Sequence, residues 1–413
     1  MPQAQDVDAA SDRLSGVAAR TPLQPSGRLS AATGHQVWLK REDLQVVRSY
    51  KLRGAYNLLA QLTAEQRARG VTCASAGNHA QGVAYACRRL ALHARIYVPR
   101  TTPRQKRERI VALGGDHVEV IVVGDTYDAA SAHTRQDARN TGAVLIPAFD
   151  HPDVIAGQGT VTCETVDQLG RAPDVLVVPV GGGGLLAGAL TWLSERHPGV
   201  RVIGVEPAGA ASMAAAVGAG EPVELDELDG FVDGAAVRRV GEHTFAAVRA
   251  HGVELVQVDA GVLCEEMLDL FDADGIIAEP AGALAVAALR TLRLDGSGLS
   301  VVCVVSGGNH DVSRYADVIE RALISKGLKH YFLVEFPQEP GALRNFLDHV
   351  LGPDDDITLF EYVKRHNRET GPALVGIELG EAEELPALMA RFEASPLHSR
   401  KLDPDDPAFS FLL

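Results

Sequence analysis

The chain is poor in positive charge. It has 413 residues, of which 39 are Lys or Arg and 54 are Asp or Glu, and its net charge is -15 at pH 7. So large a negative charge opposes nonspecific binding to nucleic-acid phosphates and to anionic lipid surfaces. The sequence therefore predicts no nucleic-acid partner and no membrane partner.

Cysteine is also scarce. The five cysteines are odd in number and widely spaced, and they form no C-x-x-C pair. Such residues are typical of reduced, buried thiols in the cytosol and do not match a zinc site. The N-terminal segment "MPQAQDVDAASDRL" is acidic and polar, unlike a signal peptide. We therefore expect a cytoplasmic protein with no bound metal.

One stretch lacks charge altogether. Residues 175–194 have the length of a membrane span, but they contain Pro179 and four successive glycines. In lipid these residues would leave backbone groups without hydrogen bonds. The stretch is therefore interpreted as a strand, a loop and a helix.

Short β-rich runs such as "HQVWLK", "DVLVVPV" and "SVVCVVS" alternate with amphipathic helical stretches over most of the chain. This alternation predicts an α/β fold with mainly parallel sheets, in which ligands bind beyond the carboxyl ends of strands. After residue 325 the order becomes strand, helix, strand, strand, helix, which is typical of a small α+β module. The sequence thus predicts a catalytic region at 1–325 and a further domain at 326–413.

Four glycines, Gly181 to Gly184, follow the apolar run "VLVVPV" and precede a predicted helix. Backbone N–H groups at a helix N-terminus form an anion cradle suited to a phosphate, and a flexible tight turn is an equally good interpretation. The chain contains neither G-x-G-x-x-G spacing nor a P-loop motif. One phosphate monoester is therefore favoured over a dinucleotide or a triphosphate.

Two more predicted strand ends carry polar residues. "SAGNH", Ser75 to His79, offers small side chains and backbone donors at a helix start, which suits a carboxylate, and Asn78 is able to hydrogen-bond a ring or hydroxyl oxygen. For His79 an ordinary capping or core role is favoured, because no second ligand has metal spacing. Ser306, in "VVSGGNHD", is either an N-cap or a hydroxyl presented to a heteroaromatic nitrogen. No G-x-S-x-G motif indicates a serine nucleophile.

Lys51, in "VRSYKLRGAYNLL", is predicted to lie in the first turn of a helix capped by Ser49. The positive potential of that helix end and the flanking Arg48 and Arg53 favour a neutral amine, which is the form that attacks carbonyl groups. Together with a cradle for one phosphate, this lysine points to pyridoxal phosphate. Lys51 would hold the aldehyde, the glycines the phosphate and Ser306 the pyridine nitrogen.

With these residues assembled, the chain resembles the fold-type II pyridoxal-phosphate enzymes, and among them the biosynthetic threonine dehydratases. The segments "SYKLRGA", "SAGNHAQGVAYA", "VGGGGL", "AEPAGALA" and "SGGN" occur in the order found in that family. The resemblance extends from about residue 20 to the C-terminus. It implies the two-subdomain, tryptophan synthase β-like fold, with a small subdomain at about 53–150 inserted in the large one. It also implies a C-terminal ACT-like regulatory domain.

The resemblance assigns roles to individual residues. Lys51 is the catalytic lysine that joins the cofactor, Asn78 contacts the 3-hydroxyl oxygen, and Ser306 faces the pyridine nitrogen. The phosphate would be held by Gly181, Gly182, Gly183, Gly184 and Leu185. The substrate carboxylate would be bound by Ser75, Ala76, Gly77, Asn78 and His79.

The resemblance also implies an activity, the deamination of L-threonine to 2-oxobutanoate and ammonia on the way to isoleucine, with L-serine as a secondary substrate. Serine dehydratase and serine racemase are alternatives within the family. Relatives of those kinds often have a serine at the position of Ala76, and an alanine cannot exchange a proton, so racemisation is disfavoured. An amino-acid sensor with a degenerate catalytic domain is opposed by the intact Lys51, Asn78 and Ser306. A nicotinamide-dependent oxidoreductase is opposed by the glycine spacing.

The likeness of the C-terminal domain is carried by "FLVEFPQEPGALRNFL" and "DDDITLFEYVKR". The resemblance implies isoleucine or valine as an effector there, and it implies a homodimer or homotetramer. The sequence leaves open whether threonine or serine is preferred and whether a cation is required.

Overall fold

The computed structural model describes residues 1–364, 368–403, 406, 407, 409 and 412. The chain forms two compact units, residues 1–311 and 312–413. Helix Tyr315–Ser325 belongs to the second unit, so the division falls before this helix, whereas the sequence places it after.

The strands of the first unit are β1 (Leu23–Pro25), β2 (Gln36–Arg41), β3 (Val71–Ala74), β4 (Ala94–Val98), β5 (Val118–Val122), β6 (Val144–Leu145), β7 (Val175–Pro179), β8 (Arg201–Pro207), β9 (Glu254–Val258) and β10 (Ser300–Val305). They form a large sheet in the order β1-β2-β10-β7-β8-β9 and a small sheet in the order β5-β4-β3-β6. Every neighbouring pair is parallel except β1 and β2. The α/β fold with mainly parallel sheets is thereby confirmed.

The α-helices of this unit are α1 (Ala4–Leu14), α2 (Gly27–Thr33), α3 (Lys51–Ala60), α4 (Ala64–Arg69), α5 (Asn78–Leu90), α6 (Arg104–Gly114), α7 (Tyr127–Thr141), α8 (Pro152–Leu169), α9 (Gly184–Arg196), α10 (Ser212–Ala219), α11 (Glu242–His251), α12 (Ala260–Asp272) and α13 (Pro280–Ala287). The charge-free stretch 175–194 is β7, a glycine loop and most of α9, as predicted. In the described part of the chain no helix is long and apolar enough to cross a membrane.

Alternation along the central strands divides the large sheet into two faces. Leu176 and Val178 of β7 and Val302 and Val304 of β10 pack in one cluster with apolar residues of α1, α8 and α9. The intervening residues face the other side, where α13 contacts β7 and β10. Both faces are thus covered, which is why these strands are almost entirely apolar.

Close packing of α3 on α8 fixes the helix that begins with Lys51. A Cβ atom on Gly157 of α8 would lie 2.6 Å from the carbonyl oxygen of Arg53 and 2.7 Å from the Cα of Gly54. Since only a glycine pair allows this approach, the small residues of α3 and α8 determine where α3 lies.

The second unit contains α14 (Tyr315–Ser325), β11 (Lys329–Pro337), α15 (Ala342–His349), β12 (Asp356–Tyr362), β13 (Thr370–Glu378), α16 (Leu385–Ala394) and β14 (His398–Leu402). Its antiparallel sheet has the order β12-β13-β11-β14. The predicted succession from β11 to α16 is present, and Arg365, the last residue of "DDDITLFEYVKR", lies outside the described residues. The sequence pattern does not predict β14, because most of "HSRKL" is polar and exposed at the edge of the sheet.

Candidate active site

The predicted site residues lie beyond the carboxyl ends of β2, β3, β7 and β10, either in the loops that follow these strands or in the first turns of the next helices. Two of these loops, residues 42–50 and 306–311, are hydrogen-bonded to each other. The N–H of Tyr50 donates to the carbonyl of Ser306 at 3.2 Å, and the N–H of Gly308 donates to the carbonyl of Arg48 at 2.9 Å. Arg48 has a φ of 55°, a conformation that residues with side chains rarely adopt. Pairing with Gly308 helps to hold this strained backbone next to Lys51.

Lys51 is the first residue of α3 and is partly buried. Its Nζ lies 3.3 Å from the carbonyl oxygen of Ala148 and 5.2 Å from the ring centroid of Tyr50. The predicted N-cap at Ser49 is wrong, because Tyr50 precedes the helix with helical backbone angles and no side-chain cap. The Ser49 hydroxyl is instead buried and has no hydrogen-bond partner among the described residues.

Arg53, two residues after Lys51, turns into the protein interior. Its guanidinium donates two 2.8 Å hydrogen bonds to Glu42 and one of 3.0 Å to Glu164. Burial alone would lower the pKa of Arg53, but the two carboxylates outweigh it and raise that pKa. These partners compensate the charge of Arg53 within the protein interior.

Asn78 begins α5, as predicted, and both ends of its amide are engaged. Nδ2 donates to Oε1 of Glu279 at 2.5 Å, and Oδ1 accepts from Nδ2 of Asn309 at 2.6 Å. His79 next to it is buried, and its Nε2 lies 2.9 Å from the carbonyl oxygen of Ile146. Burial lowers the pKa of His79 to about 4, so its imidazole is neutral near pH 7.

Glu279 was not singled out by the sequence analysis, although it lies within "AEPAGALA". Its carboxyl group is buried at the start of α13. Burial raises its pKa to about 7 and Asp233 acts in the same direction, whereas the hydrogen bond from Asn78 opposes the shift. A carboxyl group that titrates near neutral pH next to Asn78 is typical of a functional site. The position of the residue directly before Pro280, at the start of a helical pattern, was the available signal.

The glycine loop ends at the N-terminus of α9. Gly183 has a φ of 86°, and a Cβ atom on Gly182 would lie 2.3 Å from the ring of Phe149. Glycine is therefore required here by conformation and by close contact. Because the first four N–H groups of a helix have no partner within it, those at the start of α9, from Gly184 and Leu185 onward, are available to an anion.

A second feature that the sequence analysis missed is the segment 146–150, which crosses the site between β6 and α8. The carbonyls of Ile146 and Ala148 contact His79 and Lys51 respectively, as described above. Its Asp150 carboxylate accepts hydrogen bonds of 2.9 Å from two N–H groups at the start of α11. The segment contributes mostly through backbone carbonyls, and these give no signal in a sequence.

The remaining predicted residues lie in the loops already described. The Ser306 hydroxyl is buried directly after β10 and donates to the carbonyl of Ala281 at 3.2 Å. In the loop before α5, the Ser75 hydroxyl accepts from the N–H of Gly77 at 3.2 Å, and Ala76 packs against the apolar core of the small sheet.

A cavity of about 460 Å³ lies beside these loops. Arg48, Gln81, Lys106, Arg109 and Asn309 are among the residues that line it. Since Asn309 is hydrogen-bonded to Asn78, the cavity is next to the predicted cofactor contacts. It gives a small amino acid space beside the site, with cationic side chains in its wall.

The donor set fits pyridoxal phosphate. It combines a primary amine at Lys51, free N–H groups at the start of α9, a buried hydroxyl at Ser306 and an amide at Asn78 with one uncommitted hydrogen. Within the described residues, no group of three or more His, Cys, Asp or Glu side chains is arranged to hold a metal ion.

Comparison with known proteins supports the same cofactor. Residues 14–307 match the family described as "Pyridoxal-phosphate dependent enzyme", and residues 320–412 match the "C-terminal regulatory domain of Threonine dehydratase". The chain is 61% identical to the biosynthetic L-threonine dehydratase of Mycobacterium bovis over 410 residues, 99% of this chain and 95% of the relative. It is 46% identical to the biosynthetic L-threonine dehydratase of Bacillus subtilis over 411 residues, 100% of this chain and 97% of the relative.

Two solved structures share the fold over more than three quarters of this chain. Threonine deaminase isoform 2 of Solanum lycopersicum superposes with a TM-score of 0.72 at 40% identity, covering 77% of this chain and 92% of that one. Maize serine racemase superposes with a TM-score of 0.72 at 28% identity, covering 78% and 98%. The chain thus belongs to the pyridoxal-phosphate-dependent enzymes of fold type II and, with its C-terminal regulatory domain, to the biosynthetic threonine dehydratases within them.

Proposed function

We propose that the protein deaminates L-threonine to 2-oxobutanoate and ammonia. The observation that carries this proposal is the position of Lys51. Its amine is at the start of α3, on a loop whose backbone is hydrogen-bonded to the Ser306 loop. The relatives that this chain matches over nearly their whole length are named biosynthetic threonine dehydratases.

When bound, pyridoxal phosphate supplies an electrophilic aldehyde and a ring that stabilises negative charge on the substrate α-carbon. Lys51 would hold the aldehyde, and its amine, when not bound to the cofactor, would be the base that takes the proton from the substrate α-carbon. The carbonyl of Ala148, 3.3 Å from Nζ, orients this amine.

Other groups of the chain hold and orient the cofactor. The N–H groups at the start of α9 bind the phosphate, because the positive end of the helix favours an anion. Asn78 would contact the 3-hydroxyl oxygen, and the Ser306 hydroxyl would face the pyridine nitrogen. Unlike a carboxylate, a serine hydroxyl does not keep that nitrogen protonated, and this favours prompt loss of the β-hydroxyl group.

The substrate carboxylate is assigned to the loop from Ser75 to His79. Small side chains there leave the backbone donors at the start of α5 accessible. The imidazole of His79 is buried, neutral and hydrogen-bonded to the carbonyl of Ile146. His79 therefore contributes its backbone N–H, and not its side chain, to carboxylate binding. Three cationic side chains, those of Arg48, Lys106 and Arg109, and one carboxylate, that of Asp311, line the adjacent cavity. This excess of positive charge attracts a substrate carboxylate towards the loop.

L-Serine is proposed as a secondary substrate, because it has the same α-proton and β-hydroxyl group as threonine. Racemisation is the alternative that the fold allows, since maize serine racemase shares it. A methyl group at Ala76 cannot exchange a proton, and this favours elimination.

The second unit is proposed to bind isoleucine or valine as an effector, and the whole chain to act as a homodimer or homotetramer in the cytoplasm. The match of residues 320–412 to a regulatory domain supports an effector site there. A regulated enzyme requires two states with different affinities for the effector, and symmetric oligomers provide them commonly.

The proposal is tested by the visible spectrum of the purified protein with pyridoxal phosphate, followed by borohydride reduction and peptide mapping. We expect one reduced adduct, on Lys51, and formation of 2-oxobutanoate from L-threonine that K51A abolishes. Absence of a chromophore, or an adduct on another lysine, would overturn the assignment. Binding of isoleucine without turnover of threonine would instead identify a sensor with a degenerate catalytic domain.

A further inference from the structure

The amide of Asn78 is held by a hydrogen-bond chain whose direction is fixed at its far end. Nδ2 of Asn309 donates to the carbonyl oxygen of Val47 at 2.8 Å and to Oδ1 of Asn78 at 2.6 Å. A backbone carbonyl only accepts, so the group of Asn309 that faces Val47 is its NH₂. Both hydrogens of that NH₂ are then used, and the atom of Asn78 that faces Asn309 is an oxygen.

The same logic fixes the other end of Asn78. Since Oδ1 faces Asn309, Nδ2 points the opposite way, where it donates to Oε1 of Glu279 at 2.5 Å. Oε1 accepts this bond whether the carboxyl group is charged or neutral. One hydrogen of the Asn78 NH₂ is left for another acceptor.

Glu279 is itself held in place by the loop of residues 306–311. Its N–H donates to the carbonyl of Gly307 at 3.1 Å. A Cβ atom on Gly307 would lie 2.1 Å from Oε1 of Glu279, so only glycine at this position lets the carboxyl group reach Asn78. The chain of hydrogen bonds therefore runs from the carbonyl of Val47 through the side chains of Asn309, Asn78 and Glu279, and the backbone of Glu279 joins it to Gly307.

We propose that Asn309 and Glu279 are positioning residues, which orient the Asn78 amide so that its remaining N–H, and not its oxygen, faces the oxygen on ring position 3 of the cofactor. This inference rests on the proposed function, because it takes Asn78 as a cofactor contact. It adds that the contact is specified by a donor at residue 309 and an acceptor at residue 279. An Asn78 amide turned over would place two oxygens against each other.

Two substitutions at Asn309 separate direction from packing. N309A removes the donor and leaves Asn78 unconstrained. N309D keeps the shape of the side chain but places an acceptor against Val47 and Oδ1 of Asn78, which drives the Asn78 amide to turn over. If the direction of the hydrogen bonds matters, the isosteric N309D binds the cofactor more weakly than N309A does. If Asn309 only fills space, N309A binds it more weakly.

At the other end the matched pair is E279Q and E279A. Gln retains an oxygen acceptor for Nδ2 of Asn78, whereas Ala removes it, so we expect E279Q to remain close to the wild type and E279A to resemble N309A. N140D, on the exposed surface of α7, is the control for an added negative charge.

The measurements are the dissociation constant of pyridoxal phosphate, titrated into the apoprotein, and the pH midpoint of the chromophore formed with Lys51. Loss of a hydrogen bond to a charged oxygen corresponds to roughly tenfold weaker cofactor binding or more. We expect the largest dissociation constant for N309D, smaller ones for N309A and E279A, a still smaller one for E279Q, and the smallest for the wild type. The chromophore midpoint of N309D should move by about one pH unit.

Equal cofactor affinity and equal midpoints in N309D and the wild type would overturn the positioning role while leaving the proposed function intact. Absence of a Lys51 adduct in the wild-type protein would instead refute the proposed function. Thermal unfolding is measured for each variant. If N309D does not fold, the comparison of E279Q with E279A decides, and equal loss in both contradicts the proposal.

Discussion

Arg53, two residues after the candidate catalytic lysine, forms a buried, bidentate ion pair with Glu42. Nε and NH2 of Arg53 each lie 2.8 Å from a different carboxylate oxygen of Glu42, and the two side chains are 2% and 0% exposed. Such geometry fixes both groups in angle as well as in distance. Because Arg53 is in the first turn of α3, the pair sets the rotation of the helix that carries Lys51.

Replacement of Arg53 by Ala should therefore destabilise the protein by about 3–5 kcal/mol, because the buried carboxylate of Glu42 loses its bidentate cation. R53K should fall between R53A and the wild type, since Lys cannot make the two-pronged contact. Urea unfolding followed by circular dichroism measures the change. The control is R104A, which removes an exposed arginine paired with Glu108 on α6 and should have little effect. Equal stability of R53A and R104A would contradict the role given to the pair.

His79 predicts a loss of stability in acid. Burial lowers its pKa to about 4 in the folded protein, while the unfolded chain has the ordinary value of 6.5. Between these pH values the unfolded state binds more protons, so stability falls as the pH decreases from 6.5 towards 4. The difference corresponds to about 3 kcal/mol at the acid end of that window.

H79Q tests this effect, because glutamine retains an N–H donor for the carbonyl of Ile146 but does not titrate. We expect the free energy of unfolding of H79Q to change less between pH 6.5 and 4 than that of the wild type. H133Q, at an exposed position of α7, should retain the wild-type slope. A slope in H79Q as steep as in the wild type would assign the acid sensitivity to other groups.

The sequence predicts those parts of the site that depend on local chemistry. The strand, loop and helix at 175–194 follow from an apolar run interrupted by glycines, and the start of α5 at Asn78 follows from small polar residues before a helical pattern. The N-cap at Ser49 was wrong because a tertiary contact, the pairing of Ser49 with Gly307, and not a local cap, sets the backbone before α3. Tertiary contacts also determine where the chain divides, before Tyr315, since a local sequence pattern does not show which unit α14 belongs to.

Other features depend on neighbours that are distant in sequence. The segment 146–150 acts through carbonyl oxygens, which every residue has, so no residue type marks it. The high pKa of Glu279 arises from burial and from Asp233, and neither is visible before the chain is folded. Arg53 looks like a surface charge beside Lys51 in the sequence, but Glu42 and Glu164 draw it inward.

The contact between Gly182 and Phe149 makes the glycine loop sensitive to a single methyl group. A Cβ atom at residue 182 would lie 2.3 Å from the ring, so G182A must displace either Phe149 or the loop. We expect a loss of stability of about 1–3 kcal/mol and weaker cofactor binding. G218A is the matched control, because a Cβ atom on Gly218 meets nothing within 4 Å. Calorimetry and cofactor titration of both variants provide the comparison, and identical results for the two would show that the loop tolerates the methyl group.

Ala76 is the position at which elimination and racemisation should separate. Its methyl group cannot carry a proton to or from the substrate α-carbon, so the wild-type protein should form no D-serine from L-serine. A76S adds a hydroxyl group in the loop before α5, which is assigned to the substrate. We expect this variant to form D-serine while the yield of 2-oxo acid per turnover falls. Chiral chromatography of the amino acids, run beside a 2-oxo-acid assay, measures both products. A76G is the control, since it changes the side chain without adding a proton donor. Two results would mean that residue 76 does not control the fate of the α-proton. One is that A76G forms D-serine as fast as A76S does, and the other is that neither variant forms D-serine.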